Sequence, residues 1–321
     1  MDINDKNIKF WSTIGSRATL GIAALDLAKK IDNLMVLTCD VSTSAGLDRY
    51  RKTYPDKYLD LGIAEQNMIG VAAGLASENF NVITTTFAPF QTMRCCEQIK
   101  VNLGYMKQKI CMVGIASGLS LGPLGYTHCC IEDVGILRTI PGIKIISPAD
   151  SLETVKALEA AVKSEDSTYI RLTGSSNNPI VYKEDYKFEI GKSIQLKDGN
   201  DITIFSAGAM VFNSLEAAEK LEKNNISCRV VNMHTIKPVD FEAIEKACSS
   251  SKLIVSVEEH NVIGGLGSAI AEHKSKLVKS PKQLMIGVND TYSKGGSYKF
   301  LQEKHGLTAD KIVDNILNNF N

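Results

Sequence analysis

DLGIAEQNMIGVAAGLA, residues 60–76, sets a carboxylate, Glu65, between an apolar approach and a run of small and aliphatic residues. Burying an unpaired carboxylate is expensive, so Glu65 must keep a partner, keep water or take up a proton. Gly62 permits a tight turn after the strand-like Tyr58–Leu61 segment, and the helix that follows carries Ala72, Ala73, Gly74 and Ala76. Side chains this small let a second helix or backbone come close. A helix so apolar is expected in a core or a subunit interface. Glu65 then stands near its start, where the helix dipole favours an anion. From these residues alone, a capping or interface glutamate accounts for the charge as readily as a catalytic one.

The stretches on either side alternate strand and helix. Leu20, Ala24, Leu27 and Ala28 give Arg17–Lys30 helical spacing, and LMVLTCD (34–40) is a short apolar run ending in Asp40. Such a run reads as a buried parallel strand with a polar residue at its carboxyl end. NVITTTF (81–87), ICMVGIAS (110–117), IKIISPAD (143–150) and STYIRLT (167–173) repeat the pattern, with a helix expected over 151–164. The rhythm predicts an α/β fold, a mostly parallel sheet with helices on both faces. A polar, weakly periodic seam lies near 174–200. A smaller α/β unit follows: a strand at 201–208, a helix at 210–225, then SCRVVNMHTIKP, LIVSVEEH and a helix after GGLGS. We expect a first domain over 1–180, a linker over 181–200 and a second domain over 201–321. At roughly 100–200 residues per domain, 321 residues suit two.

Composition narrows the function. Lys+Arg and Asp+Glu are both 36, so bulk charge attracts neither nucleic acid nor an anionic membrane. No apolar stretch approaches the ~20 residues that span a bilayer, and MDINDKNIKFW lacks the apolar centre of a signal peptide. The eight cysteines form no CxxC pair, and Cys95-Cys96 and Cys129-Cys130 are adjacent and awkward to bridge. They read as reduced thiols of a cytoplasmic protein. Gly264-Gly265-Leu266-Gly267 is not GxGxxG; it reads as a tight turn opening a helix.

GIAEQNMIGVAAGLA resembles the signature of the pyrimidine-binding domain in thiamine-diphosphate enzymes of the transketolase family. TFAPFQTMRCCEQI (86–99), the GPLGYTH run that ends at residue 128, LRTIPGIKIISPAD (137–150), MHTIKPVD (233–240) and EEHNVIGGLGSAIAE (258–272) fall in the family's order. The resemblance covers nearly the whole chain from about Arg17. It implies a pyrimidine-binding domain followed by a transketolase C-terminal domain, and it implies roles for single residues. Glu65 would bond N1′ of the cofactor's aminopyrimidine and favour its imino tautomer, general acid–base work worth ~10²–10⁴-fold. Phe87 and Phe90 would wall that ring, with Met93 at a third, often aromatic, position. Asp40 would help place the cofactor. His128 would stand beside the substrate's reacting oxygens, where an imidazole can hydrogen-bond or move a proton near neutral pH. Arg17 and Ser44 match phosphate-side positions in the family. His260 matches a recurrent histidine of the C-terminal domain and reads as structural.

The chain departs from the family in telling places. No GDG motif with a following asparagine occurs, and that is the family's site for the magnesium ion and the diphosphate. The resemblance therefore implies a partner chain of the N-terminal transketolase type that holds both, in an α2β2 complex, with no metal ligands here. The helix at 66–77 is a candidate interface. Leu124 stands where an aspartate reads a donor-sugar hydroxyl, Ala116 where a histidine stands, and Gly174 where an arginine clamps sugar phosphate. Half an anion site points to an atypical sugar: sulfonated, deoxy, branched or nucleotide-linked. The expected activity is transfer of a two-carbon ketol unit between sugars. The alternatives are the beta subunit of a 2-oxo-acid dehydrogenase decarboxylase, a 1-deoxyxylulose-5-phosphate-synthase-like enzyme, and a non-catalytic regulatory subunit.

Overall fold

The computed structural model describes residues 1–174 and 176–320. Its strands, in chain order, are β1 (Leu34–Thr38), β2 (Tyr58–Asp60), β3 (Asn81–Phe87), β4 (Ile110–Ile115), β5 (Lys144–Ile146), β6 (Thr168–Arg171), β7 (Ile194–Lys197), β8 (Ile202–Ser206), β9 (Cys228–Asn232), β10 (Thr235–Lys237), β11 (Leu253–Asn261) and β12 (Lys282–Val288). The first sheet has the order β10-β5-β6-β4-β3-β1-β2 and the second β12-β11-β8-β9-β7. Every pairing is parallel except β10 on β5 and β7 on β9. The apolar runs become strands because both sheet faces are covered: all of β1 and all of β4 are buried.

Helices Asp5–Leu27 and Ser151–Lys163 pack with Leu34, Val36, Val113 and Ile170 on one side of the first sheet. On the other side, Met68 and Ile69 of helix Glu65–Ser77 join Met35, Leu37 and Met112. Phe205, Val231 and Met233 of the second half belong to that same apolar cluster, so the two halves share a core.

Three features differ from the sequence reading. The first helix begins at Asp5, not Arg17, and stops at Leu27. The Asn4 side chain caps it by accepting the Asn7 N–H at 2.9 Å, and Gly15, at φ 81, interrupts its helical backbone. The second difference is β10, placed by the sequence reading in the second unit: it leaves that unit's sheet and closes an edge of the first. The third lies in 181–200, where β7 forms an edge strand of the second sheet instead of a featureless connection.

Glycine is required where the loop after β1 crosses the first helix. A Cβ on Gly21 would stand 1.9 Å from the Gly46 carbonyl oxygen, and Gly46 itself has φ +70 with Ala18 Cα 2.7 Å from a would-be Cβ. This contact fixes the loop that carries Ser44 against the helix that carries Arg17. Gly70 and Gly74, by contrast, face open space. The apolar helix is therefore buried on its Met68, Ile69, Ala72, Ala73 side and open on its Gly70, Gly74 side.

Two substitutions separate these cases. Gly21→Ala should lower the unfolding free energy by at least ~1–3 kcal/mol through overpacking. Gly74→Ala should raise it by about 0.8–1.0 kcal/mol through helix propensity. Urea denaturation of the isolated chain reads both; an undiminished midpoint for Gly21→Ala would show that the crossing is not close.

Candidate active site

The carboxyl edge of the first sheet, where open α/β sheets bind ligands, gathers most of the candidate residues. Asp40 follows β1, Glu65 follows β2, Phe87 ends β3, Ala116 and His128 follow β4, and Gly174 follows β6.

Glu65 opens its helix and is 3% exposed. Its Oε1 accepts a hydrogen bond from Arg94 Nη1 at 2.8 Å, so the buried charge keeps a partner. Oε2 has no protein partner among the described residues. The Arg94 guanidinium lies over the Phe90 ring at 3.9 Å, a cation–π contact. Phe90 meets Phe87 edge-on at 6.4 Å and His128 at 5.3 Å, and Phe87 meets His128 at 6.1 Å. Glu65, Arg94, Phe90, Phe87 and His128 thus form one continuous constellation. The helix of Glu65 is tied to the turn after β3 a second time, by Gln66 Nε2 donating to the Arg94 carbonyl at 3.0 Å. Arg94 was missed by the sequence reading; its only signal is the four-residue spacing from Phe90 on a helical turn.

Two thiols back this site. Burial pushes the Cys39 thiol up to about 11. Burial, with the charge of Glu65 adding to it, pushes Cys95 up to about 12. Both stay protonated and inert as nucleophiles near neutral pH. Cys39 packs on the helix through Met68, Sγ to Sδ 3.6 Å.

Asp40 has an exposed side chain and a left-handed backbone, φ 56. Its N–H donates to Asp60 Oδ1 at 2.9 Å, and Gly62 N–H donates to the same oxygen at 3.0 Å. Asp60, also unforeseen, ties together the ends of β1 and β2 just ahead of Glu65. Ser44 is exposed, and the half-buried Arg17 guanidinium has no ion-pair partner among the described residues; burial lowers its pKa. No direct contact joins Arg17, Ser44 or Asp40 to the Glu65 constellation among the described residues. Met93 is 37% exposed and Leu124 56%, while Ala116 is buried with φ 53. At Gly174, φ +82, a Cβ would stand 2.9 Å from Asn178 Oδ1. The left-handed backbone here favours glycine, so an arginine would be strained at this position.

The loop bearing His128 is anchored from beneath. Arg171, 3% exposed, donates through Nε to both Asp133 oxygens at 2.9 Å and through Nη2 to the carbonyls of Cys130 (3.0 Å) and Glu259 (2.8 Å). The Tyr169 hydroxyl donates to Asp133 Oδ2 at 2.7 Å. Burial opposes the charge on Arg171, yet the attraction of Asp133 leaves the guanidinium's pKa above its ordinary value. His260 is buried beside this pair. Its Nε2 accepts the Gly135 N–H at 3.3 Å and burial pushes its pKa down to about 4, so it is a neutral packing group. The Gly264–Gly267 stretch turns into helix Leu266–Lys274, whose Leu266 and Gly267 N–H groups donate to Glu258 at 2.7 and 2.8 Å.

The chain matches the family models "Transketolase, pyrimidine binding domain" over residues 12–178 and "Transketolase, C-terminal domain" over 191–312. It is 36% identical over 305 residues to a putative transketolase C-terminal section of Methanocaldococcus jannaschii, covering 94% of this chain and 95% of that one. It is 37% identical over 291 residues to the 6-deoxy-6-sulfo-D-fructose transketolase subunit SqwH of Clostridium sp. (strain MSTE9), covering 90% and 89%. A solved structure described as a split gene transketolase, inactive beta4 tetramer, superposes with a TM-score of 0.86 at 35% identity, covering 96% of this chain and 98% of that one.

The buried acids beside Arg171 make stability depend on pH. Burial pushes Glu258 and Glu259 from 4.5 to about 7. Between those values the folded chain keeps protons that the unfolded chain releases, so stability present below 4.5 is lost as pH rises through about 7. His234 and His260, pushed from 6.5 to about 4 by burial, act oppositely: stability present above 6.5 is lost as pH falls. Glu259→Gln removes one acid and leaves an oxygen for the Leu119 N–H, which Glu259 Oε1 accepts at 2.6 Å. Its urea midpoint should fall less steeply between about pH 5 and about pH 8 than that of the parent. An unaltered slope would remove Glu259 from the linkage.

Proposed function

The chain belongs to the transketolase family, and from that premise we propose that it is the C-terminal subunit of a split, thiamine-diphosphate-dependent transketolase that moves a two-carbon ketol unit between sugars. The observation that carries this reading is Glu65: a buried carboxylate at a helix start, fixed through one oxygen by Arg94 and with the other oxygen unpartnered among the described residues. That spare oxygen, beside the half-buried rings of Phe87 and Phe90, fits a flat heterocycle with a basic ring nitrogen. When bound, thiamine diphosphate supplies the carbon nucleophile that accepts the ketol unit.

Glu65 holds the aminopyrimidine N1′ and sets its proton. Phe87 and Phe90, edge-to-face at 6.4 Å, would wall the ring and keep water from it. Asp40 helps place the cofactor at the end of β1. His128, with Thr127 Oγ1 3.0 Å from its Nδ1, moves a proton at the sugar oxygens. Arg17 and Ser44 take the sugar's distal anion. The missing diphosphate site calls for an N-terminal partner subunit that binds Mg²⁺ and the diphosphate, in an α2β2 complex completed along the open Gly70–Gly74 side. The pyrimidine-binding part is 1–180 and the C-terminal domain 201–321, joined by 181–200, whose strand β7 pairs into the second sheet. The free thiols suit the cytoplasm. No helix among the described residues is long and apolar enough to cross a membrane.

The substrate is an atypical sugar. Leu124 offers no hydrogen bond to a sugar hydroxyl, and the left-handed turn at Gly174 disfavours a clamping arginine. A relative that is 37% identical is named for 6-deoxy-6-sulfo-D-fructose, a sulfonated sugar.

Two assays test this. Glu65→Gln, combined with the N-terminal partner and thiamine diphosphate, should lose at least ~10²-fold in turnover while its circular dichroism is unchanged; near-parental turnover sinks the role of Glu65. The parental chain should be inactive alone and, with its partner, should turn over a sulfonated or deoxy ketose better than xylulose 5-phosphate with ribose 5-phosphate. Full activity on the phosphate pair would refute the substrate assignment, and pyruvate decarboxylation would favour a 2-oxo-acid enzyme.

A further inference from the structure

A hollow of about 720 Å³ opens in the second half of the chain, and no residue of the Glu65 constellation lines it among the described residues. Its volume lies within the ~300–1,000 Å³ of small-molecule sites. Lys294, Lys304 and His305 line it, and none of the three has a carboxylate partner among the described residues. No acidic side chain lines it. Tyr292 and Phe300, also in the lining, are 67% and 50% exposed. Unpaired cations beside open aromatic faces suit a molecule with an anionic end and a flat ring.

The wall of the hollow is bonded to the loop that carries His128. His305 Nε2 lies 2.8 Å from the Tyr126 hydroxyl and 3.2 Å from Ser293 Oγ. The Tyr126 hydroxyl lies 3.1 Å from Ser293 Oγ, and its ring is 4.9 Å from that of Tyr292. The Tyr292 hydroxyl donates to Glu132 Oε1 at 2.7 Å, and the Gly296 N–H donates to the Gly122 carbonyl at 3.0 Å. The segment 289–305 thus grips 122–132 by four hydrogen bonds and one ring contact, and Tyr126 stands two residues before His128. His305 faces the hollow and Tyr126 at once, so a ligand that moves or stiffens it acts on that loop. Burial and the charge of Lys304 lower the His305 pKa, so an anion there would relieve a repulsion.

We propose that this hollow binds a small phosphorylated, ring-bearing molecule, and that its occupancy is transmitted through His305 and Tyr126 to the loop of His128. The site is an effector site and owes nothing to thiamine chemistry.

Calorimetric titration of the full chain with ADP and with inorganic pyrophosphate tests it without requiring turnover. ADP should bind saturably and more tightly than pyrophosphate, because only ADP offers a ring to Tyr292 and Phe300. The double substitution Lys294→Ala, Lys304→Ala, both on exposed side chains, should weaken ADP by at least about tenfold with the melting curve unchanged. Hydrogen exchange of amides 122–129 should slow when ADP binds. Tyr126→Phe should keep ADP binding and lose that slowing. Absence of saturable binding, or equal affinity in the double variant, overturns the site. Equal affinity for the two probes removes the aromatic part. Slowing that persists in Tyr126→Phe overturns the route.

Discussion

The guanidinium of Arg171 is the point on which the rest of the molecule is hung. It sits at the end of β6, inside protein on every side, and its donors are shared among Asp133, the Cys130 carbonyl and the Glu259 carbonyl. These partners belong to a helix start, to the His128 loop and to β11 of the other sheet. Removing one member of such a buried pair leaves an unmatched charge, at a cost of about 3–5 kcal/mol. Three distant segments are thereby held to one planar, rigid fork. The edge of the first sheet can then present His128 from a loop that would otherwise be free to drift.

The same logic governs Glu65 on a smaller scale. A carboxylate at a helix start is favoured by the helix dipole, but the fold adds a specific partner, Arg94, delivered by the turn after β3. Arg94 in turn stacks on Phe90, so the charge, the aromatic surface and the imidazole are placed by one short chain of contacts. One carboxylate oxygen keeps no protein partner among the described residues.

Much of this was readable in the residues. The parallel strands showed as apolar runs because both faces are covered, and a charge inside an apolar stretch pointed to Glu65. Ordered motifs then singled out Glu65, Phe87 and His128, which the fold brings into one chain of contacts. What stayed hidden depends on long-range partners. Thr235–Lys237 looks like the tail of β9; only the edge left open by β5 draws it into the other sheet. Arg94 looks like any surface base in MRCCEQI until Glu65 is placed beside it. The early start of the first helix was missed because charged and polar residues interrupt its Ile8, Trp11 and Ile14 stripe and Gly15, whose φ of 81 no periodicity shows, breaks it.

That displaced strand has a bearing on how the chain is made. Synthesis runs from the amino end, and β5 emerges from the ribosome long before Thr235–Lys237. Until then β5 offers an unpaired flank of N–H and C=O groups, the kind of flank to which a neighbouring nascent chain can add itself. Completion of the first sheet therefore waits on translation of the second half. A gene cut near residue 200 would yield a fragment with a permanently sticky border, which binds these two halves into a single coding unit.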